Sequence, residues 1–311
     1  MQRIAVIGAA AVGDYIFRLD RLPEKGEIVR LDPGEPDRLI PGGCAPNIAA
    51  GLQSLGKISP TLYYPVGEDL KKLGIQAVWD ETGIRQHLTV VKGEPSGRAW
   101  MYMQPDGTTM CFSMLGAAGT ANPPAEEIEE DWVVVAPLFN AFTRAYLEQA
   151  IRQKKRITLT GIGDGQILPY LDQVDNLILN RCEAAALSAA AGCGGEQALS
   201  RQYAGLTMFV TYGSQGSALY RSGWRTAIPA VQAERLVDFT GAGDAYTSGV
   251  LSALAAGAGV EEAACFGAAN ASFVLQNFGG LTGMPAWGDL EARLKKQFPQ
   301  RTAAEKGGIL S

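Results

Sequence analysis

The run 132–137, "WVVVAP", is the first of four short apolar segments that decide the fold of this chain. The other three are "RITLTG" (156–161), "NLILN" (176–180) and "LTMFVTYG" (206–213), and stretches with helical spacing separate them. Short β-branched runs that alternate with helices are typical of βαβ units, whose parallel strands are covered on both faces. Residues 3–8, "RIAVIG", are a buried strand of the same kind. The sequence therefore predicts an α/β protein with a mostly parallel central sheet.

The first third of the chain departs from this rhythm, because apolar and polar residues alternate there. Such segments are 15–22 ("YIFRLDRL"), 26–31 ("GEIVRL") and 97–113, in which "PDG" indicates the turn of a hairpin. Alternation is typical of half-buried strands, so we expect a small sheet beside the main one. Between these segments, residues 46–56 ("PNIAAGLQSLG") predict a helix that ends at Gly56.

Composition and charge exclude several classes of function. The 311 residues carry a net charge of −5 without a lysine or arginine cluster, which argues against nucleic acid or an anionic membrane as partner. No apolar run approaches the roughly 18 residues of a membrane span. The five cysteines are scattered and odd in number, which favours reduced thiols in a cytoplasmic protein. The single histidine, His87, is given no role, and a histidine triad or multi-histidine metal site is excluded.

Two glycine patterns imitate nucleotide-binding motifs. In "VIGAAAVGD" (6–14), Gly8 and Gly13 fit the outer positions of a dinucleotide-binding turn, but Ala10 replaces the middle glycine and a strand-like segment follows. In "GLQSLGKI" (51–58) the glycine and lysine spacing fits a P-loop, but Ile58 stands where the Mg²⁺-binding hydroxyl belongs. A nicotinamide-dependent oxidoreductase is therefore a weak alternative.

The stretch "LVDFTGAGDAYTSG" (236–249) carries the chemistry. A helix starting near Gly241 presents unpaired backbone N–H groups and partial positive charge at its N-terminus, and glycines leave those donors open to an anion. Asp244 would repel a phosphate, but it would suit a base that takes a proton from a hydroxyl attacking that phosphate. The alternative is an N-capping aspartate on a glycine-rich turn.

"DFTGAGD" (238–244) resembles the D-T-x-G-A-G-D signature of the ribokinase-like (PfkB-type) sugar kinase family, with Phe239 in place of threonine. Five further features resemble family motifs in the same order along residues 3–298. They are Asp14 nine residues before Pro23 together with "PGGCAPNIAAGLQSLG" (41–56), "NRCE" (180–183), "VTYGSQGSALY" (210–220) and "NASFVLQNFGGLTGMP" (270–285). The resemblance implies a three-layer α/β/α sandwich spanning 1–298, lid strands within 15–45 and 97–113, and a poorly ordered tail at 299–311.

The resemblance also implies how the reacting groups are arranged. Asp244 would be the general base, and the N–H groups of Ala242, Gly243 and Asp244 would hold the transferring phosphoryl group, with Gly241 allowing close approach. Asn180 and Glu183 would position Mg²⁺ through water. Their spacing fits equally well a capping box at a helix start.

Further positions follow from the resemblance. Substrate would contact Asp14, Gly42, Gly43 and Asn47, although Asp14 could be a solvated turn residue and Asn47 a plain helix cap. The nucleotide would contact Thr211, Gly213 and Gly216, which otherwise form an ordinary strand-end turn, and Asn270 would lie near the adenine unless it satisfies a nearby carbonyl. Relatives often bind K⁺ near the residue equivalent to Asp238.

The sequence therefore predicts an ATP-dependent, Mg²⁺-using kinase for a hydroxymethyl group of a sugar. Fructose-like and 2-keto-3-deoxygluconate-like acceptors come first, and a nucleoside kinase is the alternative. A non-catalytic sugar or nucleotide sensor on the same fold is the competitor from another class. Arg98 on a lid strand could meet an anionic acceptor, or be a solvated strand residue. Pairing of two lids would give a homodimer.

Overall fold

A nine-stranded sheet forms the centre of the computed structural model, which describes residues 1–29, 39–104, 109–122 and 127–298. Its strand order is β13-β12-β11-β10-β9-β8-β1-β4-β5. These strands are β1 Arg3–Gly8, β4 Ser59–Gly67, β5 Arg85–Val91, β8 Trp132–Ala136, β9 Arg156–Thr160, β10 Asn176–Asn180, β11 Thr207–Thr211, β12 Ser217–Arg221 and β13 Trp224–Ile228. All pairs are parallel except β11–β12 and β12–β13, so the predicted mostly parallel sheet is confirmed.

Helices cover both faces of this sheet. They are α1 Cys44–Leu55, α2 Ile75–Glu81, α3 Ala117–Thr120, α4 Ala141–Arg152, α5 Arg181–Ala190, α6 Glu196–Gln202, α7 Ala242–Ala255, α8 Val260–Val274 and α9 Trp287–Gln297, with 3-10 helices at Gly165–Gln173 and Gly213–Gln215. Successive β1 side chains enter different cores: Ala5 and Ile7 pack with the α4–α5 side, whereas Ile4 and Val6 pack with the α1 side. This alternation confirms the three-layer α/β/α sandwich.

The small residues of α7 allow close packing against two neighbouring helices, α8 and α1. A Cβ atom on Gly249 would lie 2.7 Å from the Phe266 carbonyl oxygen of α8, and one on Gly51 of α1 would lie 2.3 Å from Ser248 Oγ. Glycines at these contacts let three helices approach closely, which fixes the start of α7 relative to the start of α1.

A second, four-stranded sheet has the order β3-β2-β6-β7, with β2 Gly13–Arg18, β3 Ile40–Pro41, β6 Arg98–Met103 and β7 Thr109–Met114. The antiparallel β6–β7 pair confirms the predicted hairpin, although its "PDG" tip (105–107) lies outside the described residues. The strand expected at 26–31 is wrong in its described part, 26–29. Glu27 closes a turn there by donating its N–H to the Glu24 carbonyl and pairing with Arg21.

Three other expectations concern the C-terminal tail, membrane-spanning helices and the end of α1. The predicted poorly ordered tail, 299–311, lies outside the described residues. In the described ranges, no helix combines the length and the apolar character needed to cross a bilayer. The predicted end of α1 at Gly56 is confirmed, because Gly56 adopts a left-handed conformation (φ 64°) and donates its N–H to the Leu52 carbonyl.

Candidate active site

The candidate site lies where several parallel strands end. β9, β10 and β11 finish at Thr160, Asn180 and Thr211, and these three residues line one cavity together with Gly243 and Asp244 of α7. Crevices at the carboxyl ends of parallel strands are the usual ligand sites of open α/β sheets.

The start of α7 has the open backbone that an anion site requires. Gly241 caps the helix with φ 78°, a conformation that side-chain-bearing residues rarely adopt, and a Cβ there would lie 2.5 Å from Gly280 Cα. Nothing lies within 4 Å of a Cβ placed on Gly243, so the backbone is bare at this point. Of the predicted donors, the Ala242 N–H donates to the Phe239 carbonyl oxygen at 3.3 Å. The N–H groups of Gly243 and Asp244 belong to the first turn of the helix, where N–H groups have no acceptor within the helix.

Asp244 points from the first turn of α7 toward the first turn of α1. Asn47 Nδ2 donates to Asp244 Oδ2 at 2.8 Å. Burial raises the pKa of Asp244 to about 7; hydrogen bonds from Asn47 and Cys44 oppose that rise, and the negative charges of Asp14 and Glu183 add to it. A carboxyl group with a pKa near neutrality suits proton transfer at neutral pH.

Asp14 and the glycine pair approach from the small sheet. Asp14, on β2, is 8% exposed, and burial followed by the charge of Asp238 raises its pKa to about 6. A Cβ on Gly42 would lie 2.7 Å from Asp14 Oδ2. Gly43 has φ 92°, and a Cβ there would lie 2.2 Å from the Ala11 carbonyl oxygen. A side chain at Gly43 would require movement of the backbone, whereas one at Gly42 would displace the Asp14 carboxylate.

Asn47 links the two helix starts and keeps one polar atom free. Its side chain is buried, and Oδ1 has no hydrogen-bond partner among the described residues, while Nδ2 is bound to Asp244. A buried, unsatisfied acceptor beside a carboxylate is a natural contact for a hydroxyl donor.

Two cavities of about 240 Å³ each meet at the start of α7. They share Thr211 and Gly243. The first holds polar and carboxyl groups; its lining comprises Cys44, Pro137, Thr160, Gly161, Ile178, Leu179, Asn180, Glu183, Thr211, Gly241, Gly243 and Asp244. The second is mainly apolar; its lining includes Gly213, Gly216, Ala230, Val231, Leu236, Phe239, Ala242, Ala271 and Leu275. A polar cavity joined to an apolar one has the form of a phosphate site beside a nucleobase site.

Asn180 and Glu183 line the polar cavity and also form the capping box that their spacing allows. Asn180 N–H donates to Glu183 Oε2 at 2.8 Å, and Glu183 N–H donates to Asn180 Oδ1 at 2.9 Å. Burial raises the pKa of Glu183. The described residues contain no cluster of three or more His, Cys, Asp or Glu side chains able to hold a metal. These two residues would therefore hold Mg²⁺ only with water and phosphate oxygens completing its shell.

Two of the predicted residues have side chains that are hydrogen-bonded within the protein. The Asn270 side chain is buried between α7 and α8, where Nδ2 donates to the Ala245 carbonyl at 2.7 Å and to Ser248 Oγ at 2.9 Å. Its neighbour Ala271 lines the apolar cavity, while Asn270 satisfies a nearby carbonyl, as its alternative interpretation expects; its place near the adenine stays a prediction. Asp238 Oδ2 accepts from the Gly279 N–H at 2.8 Å, and Oδ1 accepts two bonds from Thr240. Asp238 thus serves as a structural acceptor in this loop.

Arg98 and His87 are occupied away from these cavities. Arg98 Nη2 pairs with Asp69 Oδ2 at 2.5 Å, and its side chain remains partly exposed. His87 stacks on the Tyr63 ring, with centroids 4.8 Å apart.

Sequence reasoning missed many of the lining residues, and three of them are informative. Cys44 is the first residue of α1 and faces Asp244, Phe239 lines the apolar cavity, and Val231 closes it from a loop beyond β13. Of these three, only Phe239 gave a signal in the sequence, because it replaces a polar residue of the family signature.

The chain matches the model of the pfkB family of carbohydrate kinases over residues 1–287, and it belongs to that family. It is similar to a nucleoside kinase of Methanocaldococcus jannaschii, 30% identical over 303 residues that cover 95% of this chain and 98% of the relative. A ribokinase of Arabidopsis thaliana is 29% identical over 307 residues, covering 91% and 78%. The protein is an ATP-dependent kinase of the sugar and nucleoside kinase class.

Solved structures confirm the ribokinase-like fold. The crystal structure of the M. jannaschii nucleoside kinase superposes with a TM-score of 0.82 at 28% identity, over 95% of this chain and 99% of that one. The A. thaliana ribokinase complexed with ribose and ATP gives 0.75 at 25% identity, again over 95% and 99%. A Burkholderia thailandensis nucleoside kinase in complex with inosine superposes with a TM-score of 0.81 at 21% identity, over 95% of this chain and 99% of that one. At this identity the similarity supports the fold alone.

Proposed function

We propose that this kinase transfers the terminal phosphoryl group of Mg·ATP to a hydroxymethyl group of a neutral sugar or nucleoside, with Asp244 as general base. The observation that carries the proposal is the contact between Asn47 and Asp244 at the bare start of α7. It joins a raised-pKa carboxyl group, a free buried acceptor and a helix N-terminus at one point.

In this proposal each group has one task. Asp14 and Asn47 Oδ1 orient the acceptor hydroxyls, and Asp244 takes the proton of the attacking hydroxyl. The N–H groups at Gly243 and Asp244, with Ala242 beside them, stabilise the charge on the transferring phosphoryl group, as fixed dipoles do in such sites. Gly241 lets the loop lie against the phosphate, and Gly42 and Gly43 let the chain lie against the acceptor.

The donor nucleotide would extend from the polar cavity into the apolar one. Thr211 and Gly243 line both cavities, so a phosphate chain passing them would reach a base held among apolar side chains. Gly213 and Gly216 line the second cavity, in keeping with their expected place at the nucleotide. Asn180 and Glu183 would hold Mg²⁺ through water, and the bound ion would neutralise phosphate charge. K⁺ near Asp238 stays a prediction, tested by replacing K⁺ with Na⁺ in the assay.

Two observations narrow the chemical class of the acceptor substrate. Arg98, the cation expected to meet an anionic acceptor, is paired with Asp69, which favours a neutral acceptor. Ile16 and Met101 share with Asp14 one face of the small sheet, as the register Asp14↔Ala99 and Ile16↔Met101 requires. Ile16 is buried, but Met101 is partly exposed, and an apolar side chain beside a hydroxyl-binding carboxylate suits a nucleobase. A nucleoside is therefore the second candidate, and the similarity to nucleoside kinases supports it.

The expected homodimer has a candidate surface on the other face of the small sheet. Tyr15 stacks on Trp100 and Phe17 on Tyr102, with centroids 5.6 Å and 5.2 Å apart, and Phe112 is 56% exposed beside them. We define these five side chains as the outer aromatic face. An exposed aromatic surface of this kind suits burial against a second copy.

The five cysteines are free, in keeping with the proposed cytoplasmic location.

The experiment is ADP release from Mg·ATP across sugars, sugar acids, sugar phosphates and nucleosides, with Asp244→Asn as the test variant. General-base removal typically costs about 10²–10⁴-fold in rate. The matched control is Asp80→Asn, an exposed aspartate hydrogen-bonded to Gln86 on the far side of the fold. Binding of an acceptor without any turnover would instead support a non-catalytic sensor.

A further inference from the structure

Arg18 is the last residue of β2, the strand that also carries Asp14. Strand alternation places Asp14, Ile16 and Arg18 on one face of the small sheet. The Arg18 guanidinium carbon lies 5.1 Å from the centre of the Phe278 ring, and Nη2 donates to the Val237 carbonyl oxygen at 3.4 Å. Among the described residues its contacts are thus a ring and a carbonyl rather than a carboxylate.

Both residues that Arg18 contacts lie close to Asp238. Val237 precedes Asp238 in the chain, and Phe278 precedes Gly279, whose N–H donates to Asp238 Oδ2. We define residues 237–240 and 278–280 as the Asp238 clasp. The clasp leads directly into Gly241, the cap of α7, and a Cβ on Gly241 would lie 2.5 Å from Gly280 Cα. The position of the clasp therefore fixes the position of the anion-accepting loop.

We propose that Arg18 is a positioning residue that fastens the small sheet to the Asp238 clasp and thereby sets Asp14 at its working distance from the start of α7. The inference rests on the proposed function, because it assigns Asp14 to the acceptor and the start of α7 to the phosphate. Arginine suits this task, since a planar guanidinium can stack on a ring while an N–H donates sideways to a carbonyl.

The first test measures the contact itself and needs no acceptor. Hydrogen–deuterium exchange is compared among the wild type, Arg18→Ala and Arg21→Ala. Arg21 is the matched control, because it pairs with Glu27 on the outside of the same connection. An exposed cation–π contact corresponds to a roughly two- to fivefold change in an opening equilibrium. We expect amides in 13–18 and 277–280 to exchange faster by that factor in Arg18→Ala only. Unchanged exchange in Arg18→Ala would overturn the proposal.

The second test separates positioning from chemistry. With an acceptor found in the panel assay, Arg18→Ala is expected to raise the acceptor KM roughly two- to fivefold while kcat changes less than twofold. Arg18→Lys, which keeps the cation over the ring but loses the planar fork, should recover part of the loss. A fall in kcat at unchanged KM would place Arg18 in the chemical step and overturn the proposal.

The two tests distinguish a failure of the proposed function from a failure of the role proposed for Arg18. Absence of turnover in the wild type would refute the proposed function, and the exchange comparison would still decide whether Arg18 fastens the clasp. If Arg18→Ala does not fold, Phe278→Leu removes the same cation–π contact from the other side. Its exchange in 13–18 must then rise by the same factor for the proposal to stand.

Discussion

Replacement of Asn47 by leucine should move the pH at which the enzyme becomes active. Asn47 Nδ2 is the one amide that donates to the Asp244 carboxylate among the described residues, at 2.8 Å. That bond favours the ionised carboxylate and opposes the burial that raises the pKa of Asp244 to about 7. Leucine has a similar volume, cannot donate a hydrogen bond and keeps water out of the space. The variant therefore raises the pKa of Asp244 further.

The size of the shift follows from the bond that is lost. A hydrogen bond to a charged group contributes about 1.5–3 kcal/mol, and one pKa unit corresponds to about 1.4 kcal/mol, so the shift is roughly one to two pH units upward. A general base works only when ionised, so activity falls about tenfold per pH unit below its pKa. The acid limb of kcat/KM should bend near pH 7 in the wild type and one to two units higher in the variant.

The assay is kcat/KM for the acceptor from pH 5.5 to 10, with circular dichroism to check folding. Loss of the Asn47 contact to the acceptor would lower the whole curve without moving its bend, so the position of the bend reports on Asp244 alone. Asp14, with a pKa raised to about 6, adds a second bend only at lower pH. Gln53→Ala, on the exposed side of α1, is the control. A bend that stays at the wild-type pH would refute the assignment of Asp244 as the base that Asn47 tunes.

Three further outcomes are expected. Because burial raises the pKa of Asp244 from 3.8 to about 7, ionisation of Asp244 opposes folding as the pH rises through that window. Asp244→Asn should therefore raise the Tm by roughly 2–5 °C at pH 8 and leave it unchanged at pH 4. An equal gain in Tm at both pH values would contradict this. Gly43→Ala should lower the free energy of unfolding in urea by more than about 1 kcal/mol beyond Gly56→Ala, since both have positive φ but only the Gly43 Cβ meets a backbone oxygen, at 2.2 Å. Phe112→Asp should convert a dimer joined at the outer aromatic face into monomers by light scattering, whereas an unchanged mass would remove that face as the interface.

The central sheet and the start of α7 could be predicted from the sequence because their signals are local. The run at 132–137 is apolar throughout, and the strand built from it, Trp132–Ala136, is buried on both faces. Gly241 caps α7 where the glycine pattern indicates a helix start. Such features depend on neighbours in the chain, so a short window contains them.

Other features depended on contacts that a short window does not contain. The alternation at 26–31 resembles a strand, but its described part has a turn closed by Glu27 and Glu24. Asn270 matched a family motif, yet its direction is set by the Ala245 carbonyl and Ser248 on a helix 25 and 22 residues away. The pairing of Arg98 with Asp69 likewise joins a lid strand to the segment after β4. In each case a distant partner decided where the side chain points.

The distance between Asn47 and Asp244 depends on how α1 and α7 pack one helical turn after these two residues. Asn47 and Gly51 are four residues apart on α1, and Asp244 and Ser248 are four residues apart on α7, so each pair lies on one face of its helix. A Cβ on Gly51 would lie 2.3 Å from Ser248 Oγ, so any larger residue would push the two helices apart there. Their starts would separate with them, and the 2.8 Å bond to the base would lengthen. The chemistry proposed for Asp244 therefore depends on Gly51, which lines neither of the two cavities.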